Sequence, residues 1–481
     1  MLQAYRYALD PTPRQARALS SHAGAARFAY NWAVALVLAN WTQRQAEESY
    51  SIPDEDRTPW RSWSLPSLRK QWNQVKDDVA PWWAENSKEA YSSGLACASR
   101  AFDNYAASKR GERKGQRTGR PRVKRKHRGT RSCRFTTGTI RVDPGRHHVT
   151  LPRLGTIRTH ESTRKLERRL ASGRARILSA TVRQESDYRW FVSFQVEVER
   201  KPASPSKPRM AAGVDLGLRY LAVVADSAGQ VRYVENPQYL GRALHRLRQV
   251  NRQLARRQGP AVYDPATGRT THQKPSRGWQ EAARAAGRVH ARVRHLRADG
   301  IQKLTTAIAA EYGQVVVEDL NVAGMMHHRR RLARHIADAG FGEIRRQLAY
   351  KTTWHGGALM VADRWFPSSK TCSGCGAVKA KLSLSARVFK CQACGLVRDR
   401  DHNAAANLAA LAANTTGAPE WPGPRRDGAE YACGADRKTC RDDPSSGWGR
   451  QADGADAGTR HRSGGQDRDR QSAKTGCRSS A

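Results

Sequence analysis

Two Cys-x-x-Cys pairs, Cys372 with Cys375 and Cys391 with Cys394, stand fifteen residues apart in a chain of 481 residues. Each pair is followed at once by glycine, in CSGCG and CQACG. A knuckle must turn its second sulfur back toward the first, and glycine supplies the positive φ such a turn needs. Four thiolates at this spacing make a closed tetrahedral site for Zn2+, structural rather than catalytic. Disulfide pairing is the competing reading, and a reducing compartment disfavours it.

Three acidic residues stand apart from a basic background. Asp215 sits in GVDLG, inside a strand; Glu318 ends the apolar run VVVE; Asp401 opens HNAAANLAALAA just after the second knuckle. Each has a plainer reading. Asp401 or Asp399 would cap the helix, Asp215 would hold a turn, and Glu318 would be a solvated strand end. Together they point elsewhere, because carboxylates ending neighbouring strands, with one at a helix start, converge on a single sheet edge. Hard oxygen ligands gathered there suit Mg2+ or Mn2+. Two such ions activate water and stabilise the leaving oxygen in phosphodiester hydrolysis. Sugar kinases and actin-like ATPases share a strand followed by Asp-x-Gly, but the further Gly-rich phosphate loops they need are missing here.

The elements that position these groups follow from periodicity and punctuation. Residues 10–107 read as helical, starting with Thr12 as N-cap and Pro13 at the first helical position. A Pro- and Trp-rich stretch, about 52–82, breaks this block, and a second helix then carries Tyr91, Leu95, Ala98 and Phe102 on one face. Residues 109–134 hold thirteen Lys or Arg and one Glu, and read as a phosphate-binding arm that orders on its partner. From about 135 to 200 apolar and polar residues alternate, as in a small antiparallel barrel or sheet. After a Pro/Ser linker, strands and basic helices alternate in α/β fashion. Leu240, Leu244, Leu247 and Leu254 form a packing stripe on one of those helices. His327 and His328, in MMHHRRR, read as part of a basic loop. Beyond about Ala412 the chain is too poor in large apolar residues to bury a core and reads as disordered.

Eighty-five Lys and Arg against forty-three Asp and Glu give a formal net charge of +42. Such a chain repels itself unless a polyanion neutralises it. Nucleic acid does so with release of counterions. No signal-peptide core, basic amphipathic anchor or apolar run near roughly 18 residues is visible. The expectation is a cytoplasmic, nucleic-acid-associated protein with no membrane partner.

These motifs resemble those of the TnpB (OrfB-type) proteins, transposon-encoded RNA-guided nucleases related to the compact type V CRISPR effectors. The likeness spans about residues 5–412 through GAARFAYNWA, GRPRVKRK, LPRLGTIR, AAGVDLG, VVVEDLN, DAGFGEIRRQLAYKTTWHG, RWFPSSKTCSGCG and CQACGLVRDRDHNAAANL. It implies an α/β multidomain protein with an RNase H-like (RuvC) nuclease domain, an inserted zinc ribbon, and a wedge β-barrel carrying a helical recognition lobe. The implied organisation is a first barrel strand at 1–9, the recognition lobe at 10–107, and the basic arm with the rest of the barrel at 108–204. The RuvC-like domain follows at 205–365, interrupted by the ribbon at 366–396 and completed by 397–414, with the tail at 415–481. The implied catalytic metal ligands are Asp215, Glu318 and Asp401, the second aspartate of DRD taking precedence over Asp399. Lys88 matches a position that contacts the DNA motif beside the target, and Arg120, Arg122, Lys124, Arg125 and Lys126 are the implied nucleic-acid contacts of the arm. The implied partners are a guide RNA derived from the transposon end and double-stranded target DNA. A non-cleaving guided binder, a DNA-strand transposase and an inert zinc-ribbon module are the alternatives. The intact carboxylates speak against the first and third. The second would need a tyrosine nucleophile with a His pair, or an integrase-like acidic triad.

Overall fold

The computed structural model describes residues 1–413 apart from 114–115, 127–129, 201–202, 266–268, 273–275, 329 and 384. The expected disordered tail, with Cys433, Cys440 and Cys477, lies outside the described residues.

The chain opens with strand β1 (Leu2–Asp10) and enters helix α1 (Pro13–Ser49) through a complete capping box. The Gln15 N–H donates to Thr12 Oγ1 at 3.3 Å, and the Thr12 N–H donates to Gln15 Oε1 at 3.0 Å. The Pro- and Trp-rich stretch is not merely a break. It contains helix α2 (Leu65–Val79), started by a proline in its first turn and buried through Leu68 and Trp72. Tertiary packing overrides the sequence reading here: Trp72 meets Trp32 edge-on at 5.3 Å, and Trp63 packs on Trp41 at 5.7 Å. Helix α3 (Lys88–Lys109) buries Tyr91, Leu95, Ala98 and Phe102, the four residues expected on one face.

A seven-stranded antiparallel sheet follows. Its further members are β2 (Arg131–Phe135), β3 (Arg141–Val142), β4 (His148–Leu151), β5 (Gly155–Thr159), β6 (Ala175–Gln184) and β7 (Trp190–Val198), with helix α4 (Arg164–Ala171) between β5 and β6. The order is β2-β6-β7-β1-β5-β4-β3, so the N-terminal strand is central, paired with β7 from Leu2↔Glu197 to Ala8↔Phe191. Among the described residues no ladder joins β2 to β3.

A second sheet carries the acidic residues. Its strands are β8 (Lys207–Asp215), β9 (Tyr220–Asp226) and β10 (Val231–Glu235), followed by helix α5 (Tyr239–Arg256), a ribbon of β11 (Ala261–Asp264) and β12 (Arg269–His272), and helix α6 (Arg277–Glu311). Then come β13 (Tyr312–Glu318), helices α7 (Val322–His328), α8 (Arg330–Ala339) and α9 (Phe341–Trp354), and β14 (Ala358–Ala362). The MMHH segment is therefore helical, in α7, and not the loop its basic flank suggested. The sheet order is β10-β9-β8-β13-β14, with β8, β13 and β14 parallel and β9 and β10 antiparallel to their neighbours. Parallel strands need crossovers that cover a face, which α6 and α9 supply.

The period-2 alternation decides which side chains reach which face. Ala212, Val214, Val315 and Val317 join the core beneath α6 and α9 through Ile301, Ile308, Ile344 and Leu348. Ala211 and Val316 face the opposite way, onto Leu408 and Ala412 of helix α10 (Arg400–Ala413). Asp215 and Glu318 continue this second register, so both belong to the α10 face. Two short strands, β15 (Val388–Lys390) and β16 (Val397–Asp399), pair antiparallel and lead into α10.

Candidate active site and metal centre

Gly213 sets how near α10 comes to the sheet. A Cβ there would lie 2.0 Å from the Ala405 carbonyl oxygen and 2.4 Å from the Ala409 nitrogen, so only glycine lets the helix backbone touch β8. Asp401 stands one helical turn before Ala405, and Asp215 two residues after Gly213. The contact thus brings both acids to one end of the sheet. Gly213→Val is expected to lift α10 and lower any activity of this site roughly 100-fold, since a displacement near 1 Å costs that much. Activity measured beside a thermal melt tests this, the fold surviving while the rate drops.

Glu318 ends β13 one residue beyond the Val317↔Val214 pair, so it lies alongside Asp215. Burial pushes the Asp215 carboxyl well above the usual range, and the charges of Glu318 and then Asp401 push it further. Burial and the neighbouring Asp399 raise Asp401 as well. The Arg400 guanidinium pulls the other way, without offsetting burial and the two acids. A carboxyl whose folded-state pKa is raised holds its proton more tightly folded than unfolded. Stability is then greatest below the unfolded value of about 3.9 and falls as pH rises through the folded value. At pH 7.5 without divalent ions, Asp215→Asn is expected to raise Tm by on the order of a few degrees. The gap should narrow on lowering the pH toward 5 or on adding Mg2+. An equal gap under all three conditions would contradict this.

Neighbouring acids are sorted by their partners. Asp319 is paired by Arg345 and, at 2.6 Å, by Arg364, and these guanidiniums hold its carboxyl below the ordinary range. Glu318 instead accepts a hydrogen bond from Ser368 Oγ. Asp399 is the helix cap: its Oδ1 accepts from the N–H groups of Asp401 at 2.9 Å and His402 at 3.1 Å. That resolves the capping alternative and leaves the Asp401 carboxylate free of that task.

The four cysteines are the group whose ligand atoms, among the described residues, all lie within 4.8 Å of one another. Cys372 and Cys394 sulfurs are 3.6 Å apart, as are those of Cys375 and Cys391. Tetrahedral thiolates bound at about 2.3 Å to one ion stand roughly 3.8 Å apart, so this donor set suits zinc. Gly376 and Gly395 have φ of 77° and 74°, the left-handed turns foreseen after each knuckle. The backbone N–H groups of Cys394 and Ala393 favour the Cys391 thiolate and bring its pKa down to about 6.

Helix α10 also clamps this centre. Asn403 Oδ1 accepts from the Ser373 N–H at 2.9 Å, inside the first knuckle, and its Nδ2 donates to the Thr371 carbonyl at 2.6 Å. Asn407 Nδ2 donates to the carbonyls of Ser368 and Thr371, each at 2.7 Å. Ser368, Asn403 and Asn407 were missed in the sequence. The signal was two asparagines four apart on one helix face, where an unpartnered Asn is unfavourable.

The basic residues expected to contact nucleic acid lie on the helical lobe or on the arm segment tied to it. Lys88 is exposed at the start of α3. Arg120, Arg122, Lys124, Arg125 and Lys126 are exposed, but this part of the arm is already anchored without a partner. Tyr30 donates to the Arg122 carbonyl at 3.2 Å, and Asn31 brackets the Lys124 backbone at 3.1 and 2.7 Å. The Lys124 ammonium rests 3.7 Å from the centre of the Tyr30 ring.

Comparison with known proteins gives the family. A Mycobacterium tuberculosis protein named "Putative RNA-guided DNA endonuclease" is 40% identical over 482 residues, covering 97% of this chain and 96% of that protein. Residues 193–329 match the family described as "Probable transposase" (OrfB, IS605), and residues 341–408 the "Cas12f1-like, TNB domain". The chain belongs to the TnpB family. InsQ of Escherichia coli K12, likewise named a putative RNA-guided DNA endonuclease, is 27% identical to this TnpB-family chain, covering 85% of it and 92% of InsQ. Residues 1–46 match a family described as "Helix-turn-helix domain". In this TnpB-family protein they form β1 and most of the unbroken α1, with no turn between two helices. Among solved structures, a Cas12f1–sgRNA–target DNA complex aligns with 83% of each chain at 14% identity and a TM-score of 0.47. The mini RNA-guided endonuclease CRISPR-Cas_phi3 aligns with 88% of this chain and 94% of its own at 9% identity and a TM-score of 0.42. Among the described residues no helix is long and apolar enough to cross a membrane.

Proposed function

We propose that this TnpB-family protein is an RNA-guided, divalent-metal-dependent endonuclease that cuts double-stranded DNA beside a short flanking motif, its guide transcribed from the transposon end. One observation carries the reading: Glu318 and Asp401 stand near enough to Asp215, at the α10 end of a mixed sheet, that with burial they raise its carboxyl despite the opposing charge of Arg400, in a chain of net charge +42. Strand order β10-β9-β8-β13-β14, with the first strand of the domain central and β9 antiparallel beside it, fits an RNase H-like (RuvC) domain. The seven-stranded sheet fits the wedge and α1–α3 the recognition lobe, with boundaries at 9/10, 107/108 and 204/205. The four-cysteine ribbon at 366–396 takes a structural Zn2+.

Bound between the three carboxylates, Mg2+ or Mn2+ would neutralise charge at the phosphate and activate water. The chain's own residues prepare that place. Ser368 orients Glu318, Asp399 fixes the first turn of α10 and so the direction of Asp401, and Gly213 admits the helix. Arg345 and Arg364 neutralise Asp319, which keeps that carboxylate's charge from the cluster. Arg122, Lys124 and their neighbours contact phosphates, Lys88 reads the flanking motif, and base pairing supplies most of the sequence choice. The test is retargeting. RNA copurified with the protein is sequenced, its guide segment is exchanged, and cleavage of a plasmid library is mapped. Cuts that move with the guide support the reading, and cuts indifferent to it reject it.

A further inference from the structure

The end of the sheet that holds the acids is flanked by aromatic side chains. Across the ladder Tyr233 on β10 pairs with Val223, and Val223 pairs with Asp215. Directly opposed residues share a face, so Tyr233 and Asp215 lie on the same side, two strand spacings or about 9–10 Å apart. Tyr233 is 39% exposed, and its ring stands edge-on to that of His402, next to Asp401, with ring centres 6.5 Å apart. On the other side Glu318 pairs with Ala362 at the end of β14, and Trp365 follows three residues later.

Trp365 is 85% exposed, the most exposed of the large apolar side chains among the described residues. Its backbone is nonetheless held in place. Asp363 Oδ1 accepts from the Trp365 N–H at 2.8 Å, Arg364 is tied to Asp319 at 2.6 Å, and Phe366 packs against the cluster of Val316 and Leu408. Three residues on, Ser368 bonds Glu318, so the Trp365 backbone lies within about 11 Å of Ser368, the residue that holds Glu318. A large apolar side chain left 85% exposed on an anchored backbone contributes little to packing.

We infer that Trp365 and Tyr233 are base-stacking residues that hold an unpaired nucleic-acid strand across the acids, bases on the rings and a phosphate over Asp215, Glu318 and Asp401. The inference deepens the nuclease reading and rests on it for the identity of the bound phosphate. Every base offers a π face, so stacking tolerates any sequence, as a guided enzyme requires. A paired base offers no free face, so duplex gains nothing from these rings. The sheet edge from β10 to β14 spans about 19 Å, room for several nucleotides.

The test uses the full RNA-loaded protein in EDTA, with a single-stranded oligodeoxynucleotide carrying 2-aminopurine at successive positions. Raised salt suppresses the phosphate contacts made elsewhere on so basic a chain. Binding is read by anisotropy and stacking by quenching. Trp365→Ala is expected to weaken single-strand binding roughly 5- to 150-fold and relieve the quench, with Tm unchanged. Trp365→Phe should restore most of both, and duplex binding should not change. Tyr233→Ala should relieve the quench at a different position of the oligonucleotide. Wild-type binding and quenching by Trp365→Ala, or an equal loss with duplex, would overturn the assignment. Should the wild-type protein fail to cut guide-matched DNA in Mg2+, the nuclease reading falls while this assay still decides the role of Trp365.

Discussion

Alanine at Asp215, Glu318 or Asp401 is expected to lower target cleavage by on the order of 10³-fold or more while leaving guide RNA and target binding near wild type. Ligands that hold a metal against a reacting phosphate contribute several kcal/mol to the transition state, and about 1.4 kcal/mol is a factor of ten. Binding is spared because the exposed Lys and Arg of the arm and helical lobe are distant in sequence from the acids and stand on other elements. Asp319→Asn makes the sharper contrast. That acid sits beside Glu318, yet its carboxylate is consumed by Arg345 and Arg364. Its loss should affect stability, through two unpaired guanidiniums, more than rate. Single-turnover cleavage and filter binding on all four variants check the separation. Equal losses of binding in the three alanine variants would mean that the acids shape the fold and do no chemistry.

The second large effect is at the four-cysteine centre. Cys372→Ser, or a strong chelator, is expected to release one zinc per chain, melt residues 366–396 and abolish cleavage. Structural zinc at such sites carries roughly 10–16 kcal/mol of apparent binding free energy, so the small core of Cys372, Phe389 and Cys391 will not hold without it. The damage reaches the acids by a defined route. Ser373 and Thr371 are tied to Asn403, Ser368 is tied to Asn407, and Ser368 bonds Glu318. Asn407→Ala should therefore reproduce part of the cleavage loss with zinc still bound, which metal analysis beside kinetics would report. A Cys372→Ser protein that cleaves normally would remove zinc from the scheme.

Much of this site was legible in the sequence. The runs GVD and VVVE each end in an acid where a strand leaves the core, so the two would meet at one sheet edge if the strands were parallel neighbours, and on one face if the register paired them. The register Val317↔Val214 makes them so. Thr12 and Pro13 announced α1, and the glycines after each knuckle announced its turns. What escaped depends on contacts remote in sequence. Nothing local separates Glu318 from Asp319, because the distinction is made by Arg345, Arg364 and Ser368. Asp399 and Asp401 were equal candidates for the cap until two backbone N–H groups chose Asp399. Helix α2 hid among prolines and tryptophans because its stability comes from Trp72 packing on Trp32 and Tyr91, not from propensity. The arm from Arg120 to Lys126 read as free because charge density says nothing of backbone partners such as Tyr30 and Asn31.

The most direct test is a cleavage assay with the purified protein and its copurified RNA. A supercoiled plasmid bearing a guide-matched site and a randomised flank is incubated with Mg2+ or with EDTA, and its ends are sequenced. The expected result is cuts at the matched site, restricted to a subset of flanks, in Mg2+ alone. Occupancy of the matched site with no cut in either condition would contradict the central claim and leave a guided binding protein.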